Sequence, residues 1–66
     1  MKIQVNGEAK EIADGTTVRG LVELLGLTDG PVAVERNGEI VRRASHTTER
    51  LVEGDVVEIV HFVGGG

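Results

Sequence analysis

The last three residues of the chain, Gly64, Gly65 and Gly66, are the part of the sequence best suited to chemistry. They follow directly on Val56–Val63, a segment rich in β-branched residues and typical of a strand. Glycine has no Cβ, so such a tail can extend through a channel that admits only backbone. We therefore predict a mobile tail in which Gly64 and Gly65 thread through the channel. The Gly66 carboxylate would then reach the active site of a partner.

The carboxylate of Gly66 needs activation before it can react, because its negative charge opposes attack by a nucleophile. Conversion to an acyl-adenylate supplies a good leaving group. A sulfur nucleophile then yields a thiocarboxylate, whereas a lysine amine yields an isopeptide bond. A terminal Gly-Gly pair is a weak signal by itself, and its interpretation depends on the fold that precedes it.

Residues that support catalysis or metal binding are sparse in the rest of the chain. The sequence contains no cysteine, and its two histidines, His46 and His61, lack the spacing of a metal-binding motif. Neither a dinucleotide-binding glycine motif nor a phosphate-binding loop is present. We therefore predict that the protein is not an enzyme, that it binds no metal or cofactor, and that both imidazoles lie on the surface or are half-buried.

Composition limits the classes of partner. Seven basic and eleven acidic residues give a net charge of −4, which disfavours nucleic acids and anionic membranes and suits a protein partner with a basic surface. No apolar run approaches the roughly 20 residues that span a bilayer. The N-terminal segment turns polar at once, so we expect a cytoplasmic protein without a signal peptide.

Two Asn-Gly pairs, at residues 6–7 and 37–38, predict β-hairpins, because both central positions of a type I′ turn require a positive φ. Alternating apolar residues predict strands on both sides of each pair. The predicted segments are Met1–Asn6 with Glu8–Ile12, and the region of Val32 and Val34 with Ile40 and Val41.

One amphipathic helix is predicted between the hairpins. Thr16 or Thr17 can cap the start of the helix, and Gly26 suits the position after its end, which often has a left-handed backbone conformation. Leu24 is expected to widen the apolar stripe, and Gly20 to mark a close approach of the helix to the sheet. The stripe itself, at helical spacing, comprises Val18, Leu21, Val22 and Leu25.

The last strand has two apolar faces. Val57 and Ile59 are assigned to the core, and the residues on the opposite face are predicted to dock partners, since exposed apolar patches mark binding sites. Phe62, the only aromatic residue, is the expected anchor. The predicted docking residues are Val56, Glu58, Val60 and Phe62.

The order of elements predicts an α+β protein in which one helix, roughly Val18–Leu25, packs across a mixed sheet. With the first and last strands adjacent in the centre, this is the ubiquitin-like β-grasp fold. Residues 1–63 form the predicted domain and residues 64–66 the tail. The predicted core comprises Ile3, Val5, Leu21, Leu25, Val34, Leu51, Val57 and Ile59.

The chain resembles the sulfur-carrier family of thiamine biosynthesis, the ThiS family. The similarity covers the whole chain, and the segments that carry it are Met1–Val5, Gly15–Val18, Val32–Gly38, Glu53–Asp55 and Gly65-Gly66. Gly64 departs from the pattern, because many members of the family have a larger residue there.

The resemblance implies adenylation of Gly66 by an E1-like adenylyltransferase that uses ATP, followed by conversion to a thiocarboxylate. The implied partners are this enzyme, a sulfur donor such as a cysteine desulfurase, and thiazole synthase, which receives the sulfur. Three alternatives stay open. They are a carrier of the molybdopterin type, whose small subunit is usually longer, a ubiquitin-like modifier of lysines, and an interaction module whose tail has no role.

Overall fold

The fold is that of a computed structural model, which describes residues 1–62. Its elements are β1 (Lys2–Val5), β2 (Glu8–Glu11), α1 (Val18–Leu24), β3 (Val32–Arg36), β4 (Glu39–Val41), a short 3₁₀ helix (Arg43–Ser45) and β5 (Val56–His61). Asn6 and Asn37 have φ values of 50° and 53°, and the glycine after each has a φ of 85°. Both predicted hairpins are therefore present, and each asparagine with its glycine allows the chain to reverse.

The five strands form one sheet in the order β2-β1-β5-β3-β4. The central strand β5 runs parallel to β1 and antiparallel to β3, so the sheet is mixed, as predicted. Parallel neighbours require a crossover, and α1 lies in the connection between the two hairpins. This topology places the end of β5 beside the start of β3, where Val32 pairs with His61.

Helix α1 is bounded by the predicted capping residues. The hydroxyl of Thr17 accepts a hydrogen bond of 3.0 Å from the Gly20 N–H. At the other end Gly26 adopts a left-handed φ of 71°, and the Leu27 N–H donates to the Val22 carbonyl at 3.1 Å. This is the Schellman arrangement, which satisfies carbonyls that the helix leaves free. The helix therefore ends at Leu24, one residue before the predicted end.

The buried core agrees with the prediction at seven of the eight residues named; the eighth, Leu25, is partly buried against it. Leu24 is a correction, since 67% of its side chain is exposed. At 3.6 residues per turn it lies about 110° around the helix from the middle of the apolar stripe. The core comprises Ile3, Val5, Ile12, Val18, Leu21, Val22, Val34, Val41, Leu51, Val57 and Ile59.

Gly20 also corrects an expectation. A Cβ built there would meet Cγ2 of Thr16 at 3.3 Å and Oγ1 of Thr17 at 3.4 Å. The space around Gly20 is therefore limited by the residues that begin the helix, and not by the sheet.

Candidate functional site

The site is built on β5, whose side chains alternate between the core and the open face of the sheet. Val57 is fully buried and Ile59 is 6% exposed, as the sequence predicted. On the other face Val56, Val60 and Phe62 are 42%, 55% and 53% exposed. Strand geometry explains the division, because successive side chains point to opposite faces. Three of the four predicted docking residues thus form an apolar row that no described residue covers.

Ile40 belongs to the same face and was not predicted as a site residue. It pairs with Glu35 of β3, which in turn pairs with Glu58 of β5, so these three residues form one row across the sheet. Ile40 is 77% exposed, whereas its neighbour Val41 is buried in the core. Ile40 and Val41 are both apolar, so the sequence shows no alternation here, and a strand of three residues is too short for periodicity to assign its faces.

Glu58, the fourth predicted docking residue, lies directly opposite Glu35. Both side chains are exposed. Carboxylates in this position repel each other and destabilise the sheet slightly. The open face therefore combines an apolar row with a local negative charge that a basic partner group would neutralise.

The start of β5 is fixed by Asp55, which is only 4% exposed. Its carboxylate accepts hydrogen bonds from the Arg36 guanidinium at 2.8 Å, the Asn37 amide at 3.0 Å and the Val52 N–H at 2.8 Å. Burial alone would raise the pKa of Asp55, but these three donors outweigh it and hold the pKa below its usual value. Arg36 also donates to Glu49 at 3.2 Å. No role was predicted for Asp55 from the sequence.

The two hairpin asparagines attach β5 to both neighbouring turns. The amide of Asn6 accepts from the Ile59 N–H at 2.8 Å and donates to the Ile59 carbonyl at 3.1 Å. The amide oxygen of Asn37 accepts from the Val56 N–H at 2.9 Å. Each asparagine therefore has a role beyond its turn. Sequence spacing gave no sign of these contacts, since they join residues 53 and 19 positions apart.

The two histidines occupy different environments. His46 is 7% exposed, which corrects the expected surface or half-buried position, and its Nε2 lies 3.1 Å from the Val41 carbonyl. His61 is half-buried, with Nε2 3.1 Å from Oδ1 of Asp29. That pair is at ion-pair distance, but no aligned hydrogen-bond partner for this nitrogen is present among residues 1–62. We treat it as an electrostatic contact, which requires a protonated imidazole.

Within residues 1–62 no three histidine, cysteine, aspartate or glutamate side chains are grouped as a metal ion would need. The helical segments in this range are too short or too polar to cross a membrane. Gly64, Gly65 and Gly66, the predicted threading and reactive residues, lie outside the described residues. The described part of the candidate site therefore consists of the open face of the sheet and the end of β5.

Comparison with known proteins identifies the family. The model of the ThiS family matches residues 3–66. The chain belongs to the ThiS family. It is 42% identical to the sulfur carrier protein ThiS of Bacillus subtilis over 65 residues, which cover 97% of this chain and 98% of that protein. The predicted family resemblance is thereby confirmed.

Two further relatives are longer proteins. The chain is 47% identical over 66 residues to the thiazole synthase of Magnetococcus marinus, and 44% identical to that of Paramagnetospirillum magneticum. All of this chain is covered in both matches, but it spans only 20% of the length of either relative.

Solved structures of a ThiS protein from Geobacter metallireducens have the same fold. The crystal structure superposes with a TM-score of 0.83 at 33% identity, and both chains are covered completely. The solution structure gives a TM-score of 0.81 at 33% identity and covers all of this chain and 88% of the other. The predicted β-grasp fold is thus confirmed.

Proposed function

We propose that this chain is a sulfur carrier of thiamine biosynthesis and that it carries sulfur as a thiocarboxylate on Gly66. The observation that carries the proposal is the match to the Bacillus subtilis sulfur carrier over nearly the full length of both chains. Family membership over residues 3–66 includes the glycine tail in the match. In this role the protein is a substrate of its partners and not a catalyst.

The proposed chemistry begins at the carboxylate of Gly66. One carboxylate oxygen attacks the α-phosphorus of ATP on an E1-like adenylyltransferase, and pyrophosphate leaves. The sulfur of a donor then attacks the acyl carbon, and AMP leaves. If a cysteine desulfurase supplies a persulfide, the product is an acyl disulfide. A second thiol must reduce it, and this thiol ends in a disulfide while the thiocarboxylate is released.

The exposed face of β5 is proposed to dock the enzymes that act on the tail. Phe62 is half-exposed at the end of the apolar row, and Gly66 follows it four positions later. A chain of four residues spans at most about 14 Å. A partner that binds Phe62 must therefore hold its reactive centre within that distance. Aromatic anchors of this kind contribute strongly to binding.

Charge on the same face favours a basic partner. Glu35 and Glu58 repel each other across two strands, and a cation placed between them would remove that repulsion. The net charge of −4 acts in the same direction at longer range, because it speeds encounter with a positive surface. We propose that the adenylyltransferase and the thiazole synthase both present basic groups to this row.

Thiazole synthase is the proposed acceptor of the sulfur. The names of the two longer relatives support this proposal, because each thiazole synthase contains a segment similar to this whole chain. A carrier segment joined to a synthase would raise the local concentration of the tail near the synthase site. The separate Bacillus subtilis protein indicates that a carrier of this length also exists as its own chain.

The deciding experiment is the intact mass of the protein isolated from its own cells. We expect a fraction of molecules heavier by the exchange of one oxygen for one sulfur, with the change located at Gly66 by fragmentation. Treatment with iodoacetamide should alkylate that fraction, since a thiocarboxylate is nucleophilic at sulfur. Covalent adducts on lysines of other proteins would instead support a modifier. A thiocarboxylate that feeds molybdopterin but not thiazole formation would support the other carrier class.

A further inference from the structure

Gly30 stands apart from the other glycines that form turns in the described chain. Five of those, including Gly7 and Gly26, have a positive φ that favours glycine, but Gly30 does not. Its backbone conformation is therefore open to other residues. A Cβ at Gly30 would nevertheless lie 2.6 Å from the carbonyl oxygen of Phe62 and 3.3 Å from Nε2 of His61. The glycine is required by its close approach to the end of β5.

Two neighbours of Gly30 contact the same end of the strand. The Phe62 N–H donates a hydrogen bond of 2.9 Å to the carbonyl of Pro31. The side chain of Asp29 lies 3.1 Å from Nε2 of His61. Residues 29–31, which we call the exit loop, thus contact the Phe62 N–H, the Phe62 carbonyl and the His61 ring. The Phe62 N–H lies in the peptide group before its Cα and the Phe62 carbonyl in the one after it, so the loop contacts the backbone on both sides of this residue.

We propose that the exit loop sets the direction in which the chain leaves β5, and that Gly30 is a positioning residue for the chemistry at Gly66. This inference rests on the proposed sulfur-carrier function. The loop touches no reacting atom and acts through the backbone N–H and carbonyl of Phe62. Docking of Phe62 brings the carrier to a partner, and the exit loop directs the start of the tail towards the partner's reactive centre.

The size of the effect follows from the contact distances. Separations below 3.0 Å are not tolerated by a real Cβ, so an alanine at residue 30 must displace the Phe62 carbonyl or the loop by at least 0.4 Å, from 2.6 Å to 3.0 Å. The displaced atom is backbone, which cannot move aside by a change of rotamer. A shift at Phe62 changes the position and direction from which the tail starts. Misplacement of a reacting group by about 1 Å can cost 100-fold in rate.

The test compares Gly30→Ala with Gly20→Ala as a matched control. Gly20 also lacks a positive φ, and its added Cβ meets only side-chain atoms at the start of α1, away from β5. We measure ATP–pyrophosphate exchange with the adenylyltransferase at varied carrier concentration. For Gly30→Ala we expect kcat to fall about 10- to 100-fold with less than about threefold change in KM. The direction of the tail changes in this variant, whereas the docking surface is kept. Gly20→Ala should match the wild type in both constants.

A second readout needs no partner. Residual dipolar couplings of the Phe62 amide should change in Gly30→Ala and stay at wild-type values in Gly20→Ala, while couplings within β1 and β3 are preserved in both. Unchanged Phe62 couplings, or an unchanged kcat, overturn the proposal. A parallel loss of thermal stability and rise in KM would show that Gly30 serves only the fold. If the wild type itself supports no exchange, the proposed function fails instead.

Asp29→Asn keeps the proposal testable if Gly30→Ala does not fold. Asp29 is an exposed loop residue, so this substitution should leave the fold intact. It removes the charge opposite His61 and should lower kcat by about two- to fivefold, less than the backbone displacement, since one of three contacts is lost. A wild-type kcat for Asp29→Asn would overturn the role of the contact between Asp29 and His61. If Gly30→Ala is also unfolded, the same result would overturn the proposal.

Discussion

The two ends of β5 are held by different kinds of contact. At its start the carboxylate of Asp55 is buried and receives hydrogen bonds from Arg36, Asn37 and Val52. At its end Phe62 is half-exposed and is held mainly through its backbone by the exit loop. The contacts at the start of β5 join the strand to its neighbours mainly through side chains. The contacts at its end leave the Phe62 side chain exposed. We therefore propose that the start of β5 serves mainly stability and its end mainly function, and substitutions should separate the two.

The largest expected effect is at the tail. Deletion of Gly66 should lower ATP–pyrophosphate exchange by at least about 100-fold, because the carboxylate moves back by about 3.3–3.6 Å along an extended chain. Gly65→Val should also lower exchange, since a branched side chain blocks a channel that fits backbone. Circular dichroism of both variants should match the wild type. Exchange at the wild-type rate without Gly66 would contradict the carrier proposal.

Phe62→Ala should weaken binding to both partner enzymes by about 1–4 kcal/mol, as loss of an interface aromatic does, with little change in the fold. Titration calorimetry against each enzyme measures the effect. Leu24→Ala is a matched control, because Leu24 is also an exposed large apolar residue but lies on α1, away from the open face. Equal affinities for wild type and Phe62→Ala would remove Phe62 from the docking surface.

Asp55→Asn tests the other end of β5 and should lower the free energy of unfolding by about 2–3 kcal/mol at neutral pH, because charged hydrogen bonds to a buried group are lost. Denaturant unfolding measures it. Glu23→Gln, which alters only an exposed pair with Arg19, should change stability by less than about 0.5 kcal/mol. At temperatures where Asp55→Asn is folded, it should support ATP–pyrophosphate exchange at a rate near that of the wild type.

The same variant carries a pH signature. The pKa of Asp55 is lower in the folded protein than its ordinary value of 3.8. The ionised carboxylate therefore contributes its full stability above that value, and the contribution is lost as the pH falls through the lower pKa of the folded state. The wild type should lose stability below about pH 4 more steeply than Asp55→Asn. Parallel curves for the two proteins would contradict this assignment.

The smallest expected effect is at the acidic pair on the open face. Glu58→Gln should raise the free energy of unfolding by about 0.2–1 kcal/mol, since it removes repulsion from Glu35. It should also weaken partner binding, because one attractive charge is lost. This loss should be larger at low salt, where screening is weaker. Thermal unfolding and calorimetry at two salt concentrations measure the two effects. Stronger binding by Glu58→Gln would contradict a basic partner surface.

Local signals in the sequence determined a large part of this protein. The two Asn-Gly pairs predicted the positive φ values of the hairpin turns. The apolar stripe and the capping residues predicted the helix, and the alternation of side chains along β5 predicted which of them are buried. Each signal lies within a few residues, so it acts before distant parts of the chain meet. The glycine tail and the ThiS resemblance were likewise visible in the order of residues, and the family match confirmed the resemblance.

Other features were decided only by tertiary structure, because they join residues distant along the chain. The Asp55 carboxylate meets a donor from β3, Ile40 joins the open face through strand register, and Gly30 is confined by a carbonyl 32 residues later. Leu24 showed the reverse case, since its apolar type suggested the core but its angle on α1 turns it outward. Composition and spacing specify what a segment can form, whereas packing between segments decides which neighbour it meets.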